Sequence, residues 1–201
     1  MIVGLPAATT RDQLKALGAA AASTGAVALF HVVGVTPEAA TLDAATHGQV
    51  PGRTVALTAE MLRGSLARLS TAGQGGRVDA VAVGSPHFSI GEFEHLVRLV
   101  SGRRLAVPFY ACTARGTLLA LEEQGDAEVL REAGVEIIVD TCVVVTPILP
   151  ASGGVLMTNS GKFAHYGPSN TGYEVLYGSL EDCVDSAVAG RALSSPEVWA
   201  W

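Results

Sequence analysis

The stretch Val155-Leu-Met-Thr-Asn-Ser-Gly-Lys-Phe-Ala-His-Tyr-Gly-Pro168 decides how the chain is read. It opens as an apolar strand, Val155 to Met157. It then sets Thr158, Asn159, Ser160, Lys162, His165 and Tyr166 close together. Those residues bring an amide, hydroxyls, an ammonium, an imidazole and a phenol to the end of one strand. Gly161, without a Cβ, lets backbone come close to a ligand. The competing reading is a solvated turn and helix cap.

Working outward, strand and helix signals alternate along the chain. Thr10 and Gln13 have capping-box spacing for a helix that continues through Leu14–Ala22. Ala26–Val33 reads as a buried strand interrupted by His31, and Arg53–Leu57 as a possible short one. Thr58 caps a helix over about 59–69. Asp79–Val83, Leu105–Tyr110, Val135–Val139 and Glu174–Leu176 read as strands. Ser89 with Glu92 opens a helix ending near Ser101. Helices follow over about 114–123, 127–133 and, behind Ser179, 180–188. This alternation implies parallel pairing in an α/β/α sandwich. The strands are mainly apolar, as strands covered on both faces are. Residues 1–193 read as one α/β domain, with 194–201 as a C-terminal tail carrying Trp199 and Trp201.

Composition limits the function classes. Nearly half of the 201 residues are apolar, which excludes a disordered chain. A net charge of −6 with no basic run argues against a nucleic-acid surface. No apolar run reaches membrane-spanning length. Three cysteines with no Cys-x-x-Cys fit a cytoplasmic protein better than a disulfide framework.

Ligands of open α/β sheets sit beyond the carboxyl ends of the strands. Five such ends carry reactive side chains here: His31; Ser85 and His87; Cys112 and Thr113; Asp140, Thr141 and Cys142; and the 158–166 stretch. His31 could equally be a satisfied core histidine, and His87 a helix-capping group. Cys183 reads as structural, and His47 and His95 as surface groups. Cys112 and Cys142 are placed for thiolate chemistry. Three cysteines converging on iron would leave one iron open as a Lewis acid.

Several blocks together resemble the aconitase X family. They are Gly25 to Glu38 (including His31, Thr36 and Pro37), Gly84 to Ser89, Asp140-Thr141-Cys142 with Thr146-Pro147, Met157 to Lys162, and Tyr177 to Cys183. The resemblance implies an aconitase-like domain of an iron-dependent hydro-lyase, one that removes water from a small hydroxy acid. The acid would be cis-3-hydroxy-L-proline, with phosphomevalonate as the alternative. A non-catalytic acid-binding module that has lost its metal is a further alternative. On the same basis Cys142 is a ligand to iron or an iron–sulfur cluster, and His31 and Lys162 are catalytic. Thr36, His87, Thr158, Asn159 and Ser160 would bind substrate. Ser85 stands where many members have a second cysteine, which counts against a three-cysteine cluster. The resemblance also implies partners: a further N-terminal region and a small swivelling domain supplying a serine base. The chain alone is then expected not to turn substrate over.

Overall fold

A computed structural model describes residues 1–151 and 153–195. Trp199, Trp201 and most of the 194–201 tail lie outside the described residues. Five strands form one parallel sheet: β1 (Ala80–Phe88), β2 (Phe109–Thr113), β3 (Val135–Val139), β4 (Val155–Thr158) and β5 (Glu174–Tyr177), in the order β3-β2-β1-β4-β5. Eight α-helices accompany them among the described residues: α1 (Arg11–Gly25), α2 (Leu42–Thr46), α3 (Ala59–Arg68), α4 (Ile90–Val100), α5 (Arg115–Gln124), α6 (Asp126–Ala133), α7 (Gly161–Thr171) and α8 (Leu180–Ala189). The α/β fold with a parallel sheet is the architecture expected.

Alternation along β1 sets the two layers. Val81 and Val83 point to one face, where Phe93, Leu96, Val100, Leu121, Leu130 and Val184 from α4, α5, α6 and α8 close over them. Ala80 and Ala82 point to the other, under Phe163 of α7 and Val143 of the segment after β3. α1 packs outside α7. Each fully buried Phe or Leu contributes about 1.5–3 kcal/mol relative to exposure. The Phe88 and Phe93 rings add an edge-to-face contact at 5.6 Å.

Caps match the sequence signals. Thr10 with Gln13, and Ser89 with Glu92, form capping boxes, and Ser179 forms a third with Asp182. β3 occupies the predicted residues. β2 starts later than predicted because Pro108 has no N–H to offer a ladder. Before it, the Leu105 and Ala106 N–H groups donate to the carbonyls of Ala133 and Ala187 instead.

The strand predicted over 26–33 is a correction. Only Val32 touches another extended residue, in a single bridge to Ile2, and Leu29 is 75 % exposed. Residues 53–57 are likewise not a strand, and Leu57 is exposed. Among the described residues before Val78, only Val32 and Ala39 are buried apolar groups. The expected row of five strand ends is therefore four, and His31 is not among them.

Candidate active site

The cleft arises where β1 leaves its ladder. Val83 pairs with Ala111 and Phe88 with Thr113, so β1 carries extra residues between these pairs. Ser85, Pro86 and His87 bulge out over the carboxyl end of the sheet. Gly84 makes this possible. Its φ is +84°, and a Cβ there would lie 2.1 Å from the Cys112 carbonyl oxygen. The Thr113 hydroxyl ties the far side of the bulge by donating to the Phe88 carbonyl at 2.7 Å.

Lys15, Ser85, Pro86, His87, Cys142 and Lys162 line a cleft of about 380 Å³ at this bulge. Cys142 and Lys162, far apart in sequence, share it. The same three residues Ser85, Cys142 and Lys162 border an adjoining recess of about 230 Å³, closed by Val144, Val145, Tyr166 and Asn170. On the other side Asn159, Ser160 and Gly161 line a smaller recess together with Lys15 and Glu92. A groove of about 420 Å³ beside β3 has little comparable chemistry. Its one cation, Arg131, already bonds Glu122 at 2.8 Å.

The 155–168 stretch folds as strand, cap and helix, so both readings of it hold in part. Ser160 is the N-cap of α7, accepting from the Phe163 N–H at 3.0 Å and donating to the Ser85 carbonyl. It caps a helix and fixes the bulge at once. Thr158 is fully buried and accepts from the Ser160 N–H at 3.2 Å, so it supports Ser160 from below and does not line the cleft. Lys162 stands in the first turn of α7. Among the described residues its ammonium has no ion pair or hydrogen bond. Helix N-termini favour anions, so Lys162 and the α7 N-terminus act in the same direction.

His87 is half-buried, with Nε2 3.2 Å from the Thr141 carbonyl oxygen. A carbonyl only accepts, so in the neutral ring Nε2 carries the hydrogen and Nδ1 keeps its lone pair. His31 and Thr36 lie outside the residues lining the cleft. Thr36 turns its hydroxyl back on Val32, at 3.1 Å from the amide nitrogen. His31 Nδ1 is buried without a hydrogen bond and lies 4.0 Å from Glu38, beyond bonding range.

Tyr166, noted in the sequence only as one of a polar group, and Asn170, not noted, follow Lys162 at helical spacing on one face of α7. Gly161, Gly167 and Pro168 hid that helix. Lys15 had no predicted role. A usable signal existed: the chain has only two lysines, and both border this cleft.

Asp140 holds the edge of the site. Its carboxylate accepts the Arg115 N–H at 2.9 Å and the guanidinium Nε–H at 3.0 Å. The Arg115 backbone bond comes first, then its side chain, in holding the carboxyl below the ordinary 3.8. A depressed folded value gives stability that is present above the unfolded value and lost as pH falls through the folded one. Wild type is therefore expected to exceed Asp140→Asn in stability at neutral pH, with the gap closing below pH 3.8. Thermal unfolding across that window checks it.

The thiols differ in availability. Burial pushes the Cys112 thiol up to about 11, with nearby Cys142 adding to the rise, and burial pushes Cys183 well above its usual value. Cys142 is half-buried in the cleft. A thiol reagent at neutral pH should modify Cys142 rapidly and the other two only after unfolding. Peptide mapping of the fast site decides this; rapid labelling at Cys112 would contradict it.

The chain matches family models over two spans. Residues 78–189 match the aconitase X third domain and residues 1–67 the aconitase X second domain. The chain belongs to the aconitase X family. It is 40% identical over 192 residues to the cis-3-hydroxy-L-proline dehydratase of Pseudomonas aeruginosa, covering 94% of this chain and 33% of that protein. The Hypocrea jecorina protein of that name is 40% identical over 185 residues, covering 90% and 31%. The phosphomevalonate dehydratase large subunit of Methanosarcina mazei is 33% identical, covering 90% and 42%. Thermococcus kodakaraensis aconitase X, in its holo-form, superposes with a TM-score of 0.78 at 27% identity, over 92% of this chain and 46% of that one. The chain thus spans about a third of the length of the dehydratases it matches.

An aconitase X chain raises the question of iron. Among the described residues no three His, Cys, Asp or Glu side chains converge as a metal-ligand group. The cleft offers one cysteine, Cys142, with a serine hydroxyl at Ser85 and the Cys112 thiol sealed in the core. These residues by themselves do not fit a three-thiolate cluster. Among the described residues no helix is long and apolar enough to cross a membrane.

Proposed function

We propose that the chain is the acid-binding α/β part of a hydro-lyase acting on a small hydroxy acid, and that the acid is cis-3-hydroxy-L-proline. One observation carries the reading. Lys162 brings an uncommitted ammonium into a cleft at the N-terminus of α7, beside Ser85 and Cys142. The higher identity to cis-3-hydroxy-L-proline dehydratases than to the phosphomevalonate dehydratase large subunit supports this substrate. A single free ammonium also suits one carboxylate better than a carboxylate plus a phosphate.

Dehydration takes a proton from the carbon next to the carboxylate and expels hydroxide from the neighbouring carbon. Negative charge builds on the carboxylate oxygens as the proton leaves. Lys162 and the α7 N-terminus stabilise charge at that position. Asn159 offers an amide to the same end, and Ser160 keeps the Ser85 bulge in place. His87 has the Nδ1 lone pair to accept a hydrogen bond. Cys142 places its thiol in the same cleft, and none of the described residues is assigned as the proton-accepting base.

Calorimetric titration tests the substrate. Cis-3-hydroxy-L-proline is expected to bind more tightly than L-proline and than phosphomevalonate. No heat with any of the three would sink the reading. A second reading, a non-catalytic acid-binding module, draws on Ser85 and the single cysteine of the cleft. Anaerobic reconstitution tests the first reading against it: iron retained by the wild type and lost in Cys142→Ser favours the hydro-lyase part.

A further inference from the structure

We propose that Lys15 is a positioning residue that binds α1 to the bulge of β1 and so sets the shape of the acid cleft, without touching the substrate. The inference rests on the acid-site reading above only for what the cleft holds. The Lys15 ammonium has three partners: it donates to the His87 carbonyl at 2.9 Å and to Glu92, and it pairs with the Asp12 carboxylate at 3.0 Å. Two of these partners lie more than seventy residues away in sequence. Asp12 reaches the same region by accepting the Ser89 hydroxyl at 2.7 Å, and Glu92 accepts the Ser89 N–H at 2.9 Å. One end of the Ser85–His87 bulge is therefore held by Lys15 and the other by Ser160. The two lysines divide the work: Lys15 is saturated by the protein, whereas Lys162 has no partner among the described residues.

With only two lysines, amine chemistry reads each one separately. Brief acylation with acetic anhydride, followed by peptide mass spectrometry, is expected to modify Lys162 about tenfold faster than Lys15. Saturating cis-3-hydroxy-L-proline should slow Lys162 and leave Lys15 unchanged. Lys15→Met should weaken that acid roughly tenfold, the equivalent of one charge-assisted hydrogen bond. Lys15→Arg should recover most of the loss, because a guanidinium also donates to a carbonyl and two carboxylates. Should Lys15→Met not fold, Glu92→Gln keeps the capping group and removes one carboxylate; it is expected to speed Lys15 acylation severalfold. Protection of Lys15 by the acid would make it a ligand contact and overturn the proposal, as would Lys15→Met with wild-type affinity. If Lys162 is not protected, the acid-site reading fails instead. The Lys15 proposal then stands or falls on whether Lys15 is the slower of the two.

Discussion

Lys162→Ala is expected to weaken cis-3-hydroxy-L-proline binding by about tenfold or more, with little change in thermal stability. A charge-assisted hydrogen bond contributes roughly 1.5–3 kcal/mol, and each 1.4 kcal/mol is about a tenfold change in affinity. Lys162 should lie at the upper end, because its ammonium has no competing partner to leave behind among the described residues. Lys162→Arg is expected to bind at intermediate strength, since a planar fork replaces a compact charge in a cleft also lined by Ser85 and Cys142. Stability should hold because the removed ammonium bonds nothing among the described residues, while the α7 cap belongs to Ser160. Calorimetry and a melting curve on the same samples check both halves. Unchanged affinity would remove Lys162 from the site.

The second large effect is structural. Gly84→Ala puts a Cβ 2.1 Å from the Cys112 carbonyl oxygen and 2.8 Å from its amide nitrogen, at a φ of +84°. No side chain can move aside, because the clash is with the backbone of β2. The cost is expected to be about 3 kcal/mol or more, out of the roughly 5–15 kcal/mol typical of a folded domain. Gly102→Ala serves as the control. It has a φ of +70° but nothing within 4 Å of the added Cβ, so it meets strain without collision and should cost about 1 kcal/mol. Denaturant unfolding of the two variants compares them. Equal losses would show that the close approach of β1 to β2 is not what fixes the bulge.

The sheet was largely legible because its signals are local. Val135–Val139 is a β-branched run broken only by Glu136, and Ser89 and Ser179 each precede an acidic residue at capping spacing. The failures share a physical cause: they depend on partners that sequence pattern does not name. Ala26–Val33 has a strand's apolar character, but among the described residues only Val32 finds a neighbour, so no ladder forms. α7 is a helix in spite of Gly167 and Pro168. Ser160 caps its start, and Phe163 and Ala164 are buried against the sheet, so packing outweighs propensity. Of the site, Lys162, Cys142, His87, Asn159 and Ser160 were visible as chemistry at strand ends. Lys15 was not, because its role exists only once α1 lies across the β1 bulge. His31 and Thr36 carried the family pattern, yet they lie in a segment that does not reach the cleft.

A small hydroxy acid is expected to bind between the α7 N-terminus and the β1 bulge. Titrating the isotopically labelled chain with cis-3-hydroxy-L-proline and following backbone amide NMR signals tests it most directly. Saturable shifts concentrated at Asn159–Lys162, Ser85, His87 and Cys142 are expected, with their loss in Lys162→Ala. Saturable shifts centred elsewhere, such as the groove beside β3, or none at all, would contradict it.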